Sequence, residues 1–168
     1  PAYGLSSTVE ETRRHYLLDA QSVLQQCFEL AAKGVSVHAL AVHTGQRTGG
    51  TIEHAIALHG GLSELAEIAR TALPQGELTI EVADSLPADH PISFPGAKKA
   101  ALDVDDLIQV LAAVNGGLED KKPVSMMLNW GRMLFNGDRP LDIVNKVIDS
   151  GTRLCGVILS GAGASPHG

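Results

Sequence analysis

Four short apolar runs separated by stretches of helical length constrain this chain more than any other feature. The runs are "VSVHALAVHTG", "GELTIEVADS", "PVSMMLNWGR" and "RLCGVILSGAGAS". They are rich in Val, Ile, Leu and Met and mostly lack strict apolar–polar alternation, as expected of strands covered on both faces. Around them "SSTVEETRRHYLLDAQSVLQQCFELAAKG", "LSELAEIARTAL", "ALDVDDLIQVLAAVNGG" and "RPLDIVNKVIDSG" carry helix signals. In the first, Ser6, Ser7 or Thr8 caps the start, with Glu10 and Glu11 in the first turn. Leu17, Leu24, Phe28 and Ala31 recur at helical spacing, and Gly34 stops the helix. Ser63 is expected to cap the second helix, which ends near Pro74, with "QRTGGTIEHAIALHGG" ahead of it starting as a loop with room for a short helix. Asp103 caps the third, which ends at Asn115-Gly116, and Pro140 stands early in the fourth, where it costs nothing. Strands spaced by whole helices require a parallel sheet with right-handed crossovers. The class is α/β, as a single domain over residues 1–168.

The polar side chains decide between an open doubly wound sheet and a barrel. A dinucleotide-binding sheet carries G-x-G-x-x-G after its first strand and before a helix. Here "SGAGAS" follows the last strand, with Gly161 and Gly163 but no third glycine in register. Polar groups gather instead where each strand ends: His43 and Thr44, then Glu81 and Asp84, then Asn129 and Arg132, then Ser160. A (β/α)8 barrel keeps its chemistry at the C-terminal ends of successive parallel strands. Four strands make half of one, so the expectation is a partial TIM barrel of about four central βα units.

Charge and length exclude several classes. Among 168 residues the net charge is -6, with no basic stripe, which argues against a nucleic-acid partner. No apolar run reaches a membrane span and no signal peptide is seen, so a soluble cytoplasmic protein is expected. Cys27 and Cys155, far apart in apolar sequence, read as buried free thiols. An N-terminal proline can act as a general base, but Pro1 precedes a loop and a helix and reads as a boundary.

In order along the chain, "GLSSTVEETRR", "LAVHTG", "LTIEVADS", "AKKAALDVDDL", "LNWGRMLFNGDRPLDIV" and "GVILSGAGAS" resemble an uncharacterised family of xylose-isomerase-like TIM barrels. The Asn-Trp-Gly-Arg strand end and the Ser-Gly-Ala strand end carry most of the resemblance. It implies that the four strands are barrel strands four to seven. The remaining strands are then expected in a longer parent chain, or from another source. The wider sugar isomerase and epimerase superfamily holds a divalent metal (Mn, Mg, Zn or Co) on Glu, Asp, His and Glu from strands five to eight. By position Glu81 matches the first of these ligands. Asn129 stands where the second would be and offers only a neutral amide oxygen, and the strand-seven end offers Ser160 rather than histidine. The resemblance also implies a substrate role for Lys98, whose other reading is a solvated lysine ahead of a helix.

Each residue carries a functional and a bland reading. Glu81 lies between Ile80 and Val82, and a carboxylate in an apolar strand is costly unless paired or bound, so a base or ligand role is favoured. Asp84 either pairs with Glu81 or caps the turn. His43 at a strand end is favoured as an acid/base or ligand; His38, His54 and His59 read as structural or solvated. Asn129 and Arg132 can present donors to a hydroxylated or anionic ligand. Trp130 either offers a flat face to a sugar ring or plugs the core. If the strand continues through this tetrapeptide, Asn129 and Gly131 point one way and Trp130 and Arg132 the other.

The expected function is therefore sugar or sugar-phosphate isomerase/epimerase-like, with Glu81 abstracting a proton beside a carbonyl. His43 would assist, and Asn129, Trp130, Arg132, Lys98, Asp84 and Ser160 would bind the substrate. The competing expectation is a carbohydrate-binding or structural barrel without chemistry. A third is a half-barrel that covers its open sheet edges by homo-oligomerisation.

Overall fold

A computed structural model describes residues 3–45, 51–82, 102–118 and 122–160, the side chain of Phe135 apart. The elements alternate as expected: α1 (Glu10–Ala32), β1 (Ala39–Val42), α2 (Thr51–Ala72), β2 (Glu77–Val82), α3 (Val104–Gly116), β3 (Ser125–Asn129), α4 (Trp130–Phe135), α5 (Pro140–Asp149) and β4 (Leu154–Ile158). The strands form one sheet in the order β1-β2-β3-β4, parallel throughout. Ala39 pairs with Glu77 and Thr79 with Ser125; a register irregularity between Met126 and Met127 marks the approach to β4. All three pairings are parallel, so the four strands point their C-terminal ends to one rim.

Side-chain alternation gives the sheet two unlike faces. Leu78, Ile80 and Val82 of β2 and Met126 and Leu128 of β3 are buried in one core with Leu24, Leu58, Leu62, Leu65, Leu107 and Leu111 from the helices. The alternate positions Glu77, Thr79, Glu81, Ser125, Met127 and Asn129 take the other face, the one that lines the axis of a barrel. Polar residues on that face therefore end up in a row leading to the rim.

Several sequence expectations need correction. The helix expected to start at Ser63 begins earlier: α2 runs unbroken from Thr51 to Ala72, so the short helix allowed ahead of Ser63 is its first half and Ser63 lies in its interior, while residues 46–50 lie outside the described residues. The Gly60-Gly61 pair misleads because Gly61 is there for packing. A Cβ on Gly61 would lie 2.7 Å from Leu5 Cδ1, so the glycine lets Leu5 seat against the helix. The N-cap of α1 is Val9, with no side-chain cap; Ser7 Oγ instead accepts from the Val9 N–H at 3.3 Å. The buried stripe of α1 is Leu17, Ala20, Leu24 and Cys27, whereas Phe28 is exposed. Gly34, at φ +82°, does end that helix, and Asp103 does cap α3, accepting from the Asp106 N–H at 3.0 Å. Cys27 is buried, but Cys155 is only half-buried. Burial and the neighbouring Glu77 carboxylate push its thiol pKa up.

Candidate active site

Two strand-end expectations converge at the rim. Glu81, next to last in β2, has a side chain only 13% exposed, and its Oε2 lies 3.6 Å from Nε2 of His43 at the end of β1. Its Oε1 accepts from Asn129 Nδ2 at 2.8 Å, the last residue of β3. Ser160, two residues beyond β4, donates from Oγ to Asn129 Oδ1 at 2.6 Å. One residue from each strand end thus joins a polar chain, His43–Glu81–Asn129–Ser160.

Asn129 carries the junction because it also ends its strand. Its Oδ1 accepts from the Arg132 N–H at 3.3 Å, making it the N-cap of α4. The Asn-Trp-Gly-Arg tetrapeptide is consequently not a strand end throughout, and the alternation expected across it does not hold. Trp130 and Arg132 stand on helix α4, where residues two apart do not share a face. Trp130 is half-buried against the core, which favours the packing role, and Gly131 is buried. Arg132 brings its backbone N–H into the site through the cap. Asp84 and Lys98 lie outside the described residues.

Of the histidines, His54 is fully buried, with Nδ1 2.7 Å from the Ser6 carbonyl, and His38 and His59 are exposed. Sequence spacing gave no hint of the contact between His43 and α1: the His43 N–H donates to Tyr16 Oη at 3.0 Å. Burial pushes the Tyr16 phenol above its ordinary pKa, partly offset by that N–H, so the hydroxyl stays neutral.

A divalent metal shared between Glu81 and Asn129 does not fit this donor set. A backbone N–H can only donate and a carboxylate only accepts, so the Asn129 amide is fixed with its oxygen toward Arg132 and its nitrogen toward Glu81. It therefore presents N–H where a metal would need oxygen. Among the described residues no cluster of three or more His, Cys, Asp or Glu forms elsewhere either.

The family model for a domain of unknown function, DUF4862, matches residues 1–168. The chain belongs to the DUF4862 family. No curated protein matches it in sequence. Among solved structures, the DUF4862 chain is similar to 3-keto-D-glucoside 4-epimerase from E. coli, at 13% identity and TM-score 0.61, over 93% of this chain and 54% of that one. A D-psicose 3-epimerase solved with D-fructose matches at 15% identity and TM-score 0.64, over 92% and 47% of the two chains. The D-psicose 3-epimerase of Clostridium cellulolyticum H10 with D-tagatose matches at 13% and 0.56, over 95% and 62%. The DUF4862 chain thus spans about half the length of the structures it matches. At these identities the likeness establishes the fold: four parallel βα units of a TIM barrel. Among the described residues of the DUF4862 chain, no helix is long and apolar enough to cross a membrane.

Proposed function

We propose that this chain carries the proton-abstracting carboxylate of a sugar isomerase or epimerase-like site. The observation that carries the reading is Glu81: a mostly buried carboxylate at the rim of a parallel sheet, held by an amide on one oxygen and facing an imidazole with the other. In this reading Glu81 Oε2 removes the proton from a carbon beside a ketose carbonyl. The electron pair moves into the carbonyl, giving an enediolate. His43 Nε2–H hydrogen-bonds the oxygen on which charge develops. Return of the proton from Glu81 to the neighbouring carbon gives an isomer; an epimer forms when a second acid, on the opposite face of the enediolate, delivers the proton while Glu81 keeps the one it removed.

The other residues orient. The Asn129 amide fixes the Glu81 rotamer so that Oε2 faces the His43 imidazole, and Ser160 fixes the amide. Arg132, Trp130, Asp84 and Lys98 belong to the substrate side of the proposal, the arginine and lysine suiting a phosphorylated or anionic sugar. The substrate class comes from the epimerases that share the fold.

Chromatographic detection of new sugars after incubation with D-fructose, D-psicose or D-tagatose tests the reading. We expect epimer or isomer formation, and a loss of at least about 10²-fold in Glu81→Gln, which keeps the side-chain shape. Turnover that survives Glu81→Gln refutes the role of the carboxylate. A binding-only reading draws on the neutral Asn129 and Ser160 at positions where the resembled superfamily has Asp and His. Ketose binding without turnover selects it.

A further inference from the structure

The His43 side chain is 46% exposed and meets Glu81 at 3.6 Å. Its place is set by its main chain. In a parallel strand, successive residues turn their N–H and C=O to opposite edges. The His38 carbonyl accepts from the Glu77 N–H of the neighbouring strand, so His43, five positions on, turns its main chain to the outer edge. There the His43 N–H donates to Tyr16 Oη at 3.0 Å and the His43 carbonyl accepts from the Leu5 N–H at 3.4 Å. The next carbonyl, that of Thr44, is held twice, by the Ser6 N–H at 2.8 Å and by Ser6 Oγ at 2.7 Å. Ser6 is itself held: its carbonyl can only accept, so His54 Nδ1 must carry the proton at 2.7 Å, and both side chains are fully buried.

The two backbones approach so closely that side chains are excluded. A Cβ on Gly4 would lie 2.3 Å from Gly45 Cα, and Gly45 adopts φ +96°. Tyr16 is braced in turn by the Tyr3 ring, edge-on at 5.2 Å, whose hydroxyl donates to Asp19.

We propose that Tyr16, with the Leu5–Ser6 segment and His54 behind it, is a positioning residue that clamps the His43 end of β1 against Glu81. The site role of His43 rests on the function proposed above; the clamp does not. A main chain free to shift by about 1 Å would take the imidazole out of reach of the carboxylate, a displacement that can cost about 10²-fold in rate.

The test reads the ring nitrogens of His43 by NMR in the full chain, the signals being assigned by their loss in His43→Gln. Tyr16→Phe keeps the ring and deletes the acceptor. We expect the His43 ring signals to move or broaden as they do in Glu81→Gln, and turnover of D-fructose to lose about tenfold in kcat with KM unchanged. A role confined to stability would lower the melting temperature and leave those signals in place, and that result overturns the proposal. Should Tyr16→Phe fail to fold, Ser6→Ala, which removes one of the two donors to Thr44, is read by the same criterion. If the wild-type chain turns over no sugar, the proposed function falls, while the ring spectrum still decides the clamp.

Discussion

Asn129 makes three hydrogen bonds with one amide, and each fixes a different thing: the Glu81 rotamer, the Ser160 hydroxyl and the first turn of α4. Asn129→Asp keeps the cap but sets a second carboxylate where an N–H donor stood, 2.8 Å from Glu81. Two carboxylates that close cannot both ionise cheaply, so the pair holds a proton above the usual range. The folded state then binds more protons than the unfolded one. Relative to wild type, urea melts of Asn129→Asp should lose stability as the pH rises from 5 to 8. Asn129→Ala should lose about 2–4 kcal/mol near neutral pH, the sum of a lost cap and a buried carboxylate without its donor, and only the cap's share of about 1 kcal/mol in acid where the carboxyl is protonated in both states. A pH-independent Asn129→Asp would show that the amide does not sit against Glu81. At this scale the sequence was half legible. Glu81 and Asn129 stand out as polar residues at the ends of apolar runs. Tyr16 does not, because a contact from a helix to the main chain of the following strand leaves no periodic trace.

Among the elements, α2 shows how a local signal misleads. Gly60-Gly61 looks like a helix stop, yet the helix passes through both because Leu5 needs the space over Gly61. The neighbours therefore respond oppositely to one substitution. Gly60→Ala meets nothing within 4 Å and should stabilise by about 0.5–1 kcal/mol through helix propensity. Gly61→Ala drives a Cβ into the fully buried Leu5 and should destabilise by about 1 kcal/mol despite the same propensity gain. Denaturant melts of the two variants check this, and equal shifts would contradict it. On the barrel-facing side, β2 and β4 are tied across β3 by Glu77, which accepts from Arg153 Nε at 2.8 Å. That guanidinium holds the Glu77 carboxyl below its ordinary value of 4.5. A depressed folded-state pKa adds stability above that value and loses it as pH falls through the folded one. Because Arg153 is more than half exposed, the contribution is about 0.5 kcal/mol. Glu77→Gln should accordingly cost that much near neutral pH and nothing once the carboxyl is protonated in both states. A cost that persists in acid would point to lost packing rather than lost charge.

For the whole molecule, the order of elements was legible because apolar runs and helical stretches alternate without ambiguity, and strand–helix–strand order leaves only parallel pairing. The barrel reading rested on polar residues at strand ends, and His43, Glu81, Asn129 and Ser160 do meet at one rim. What escaped was geometry set by single hydrogen bonds. Asn129 ends its strand at once by capping α4, so Trp130 and Arg132 leave the sheet where the apolar run alone predicts continuation. The same cap turns the amide nitrogen toward Glu81 and removes the oxygen a metal would need. The rim that results places the Glu81 carboxylate between the His43 imidazole at 3.6 Å and the hydrogen-bonded Asn129 amide, on part of a TIM-barrel fold. We propose that Glu81 takes a proton from a carbon beside a carbonyl. Incubation with D-fructose in D2O, followed by proton NMR, tests it most directly. We expect loss of the proton signal next to the carbonyl with the wild-type chain, and exchange at least about 10²-fold slower with Glu81→Gln. Exchange at the same rate in Glu81→Gln, or none from the wild-type chain with any of the three ketoses, would contradict it.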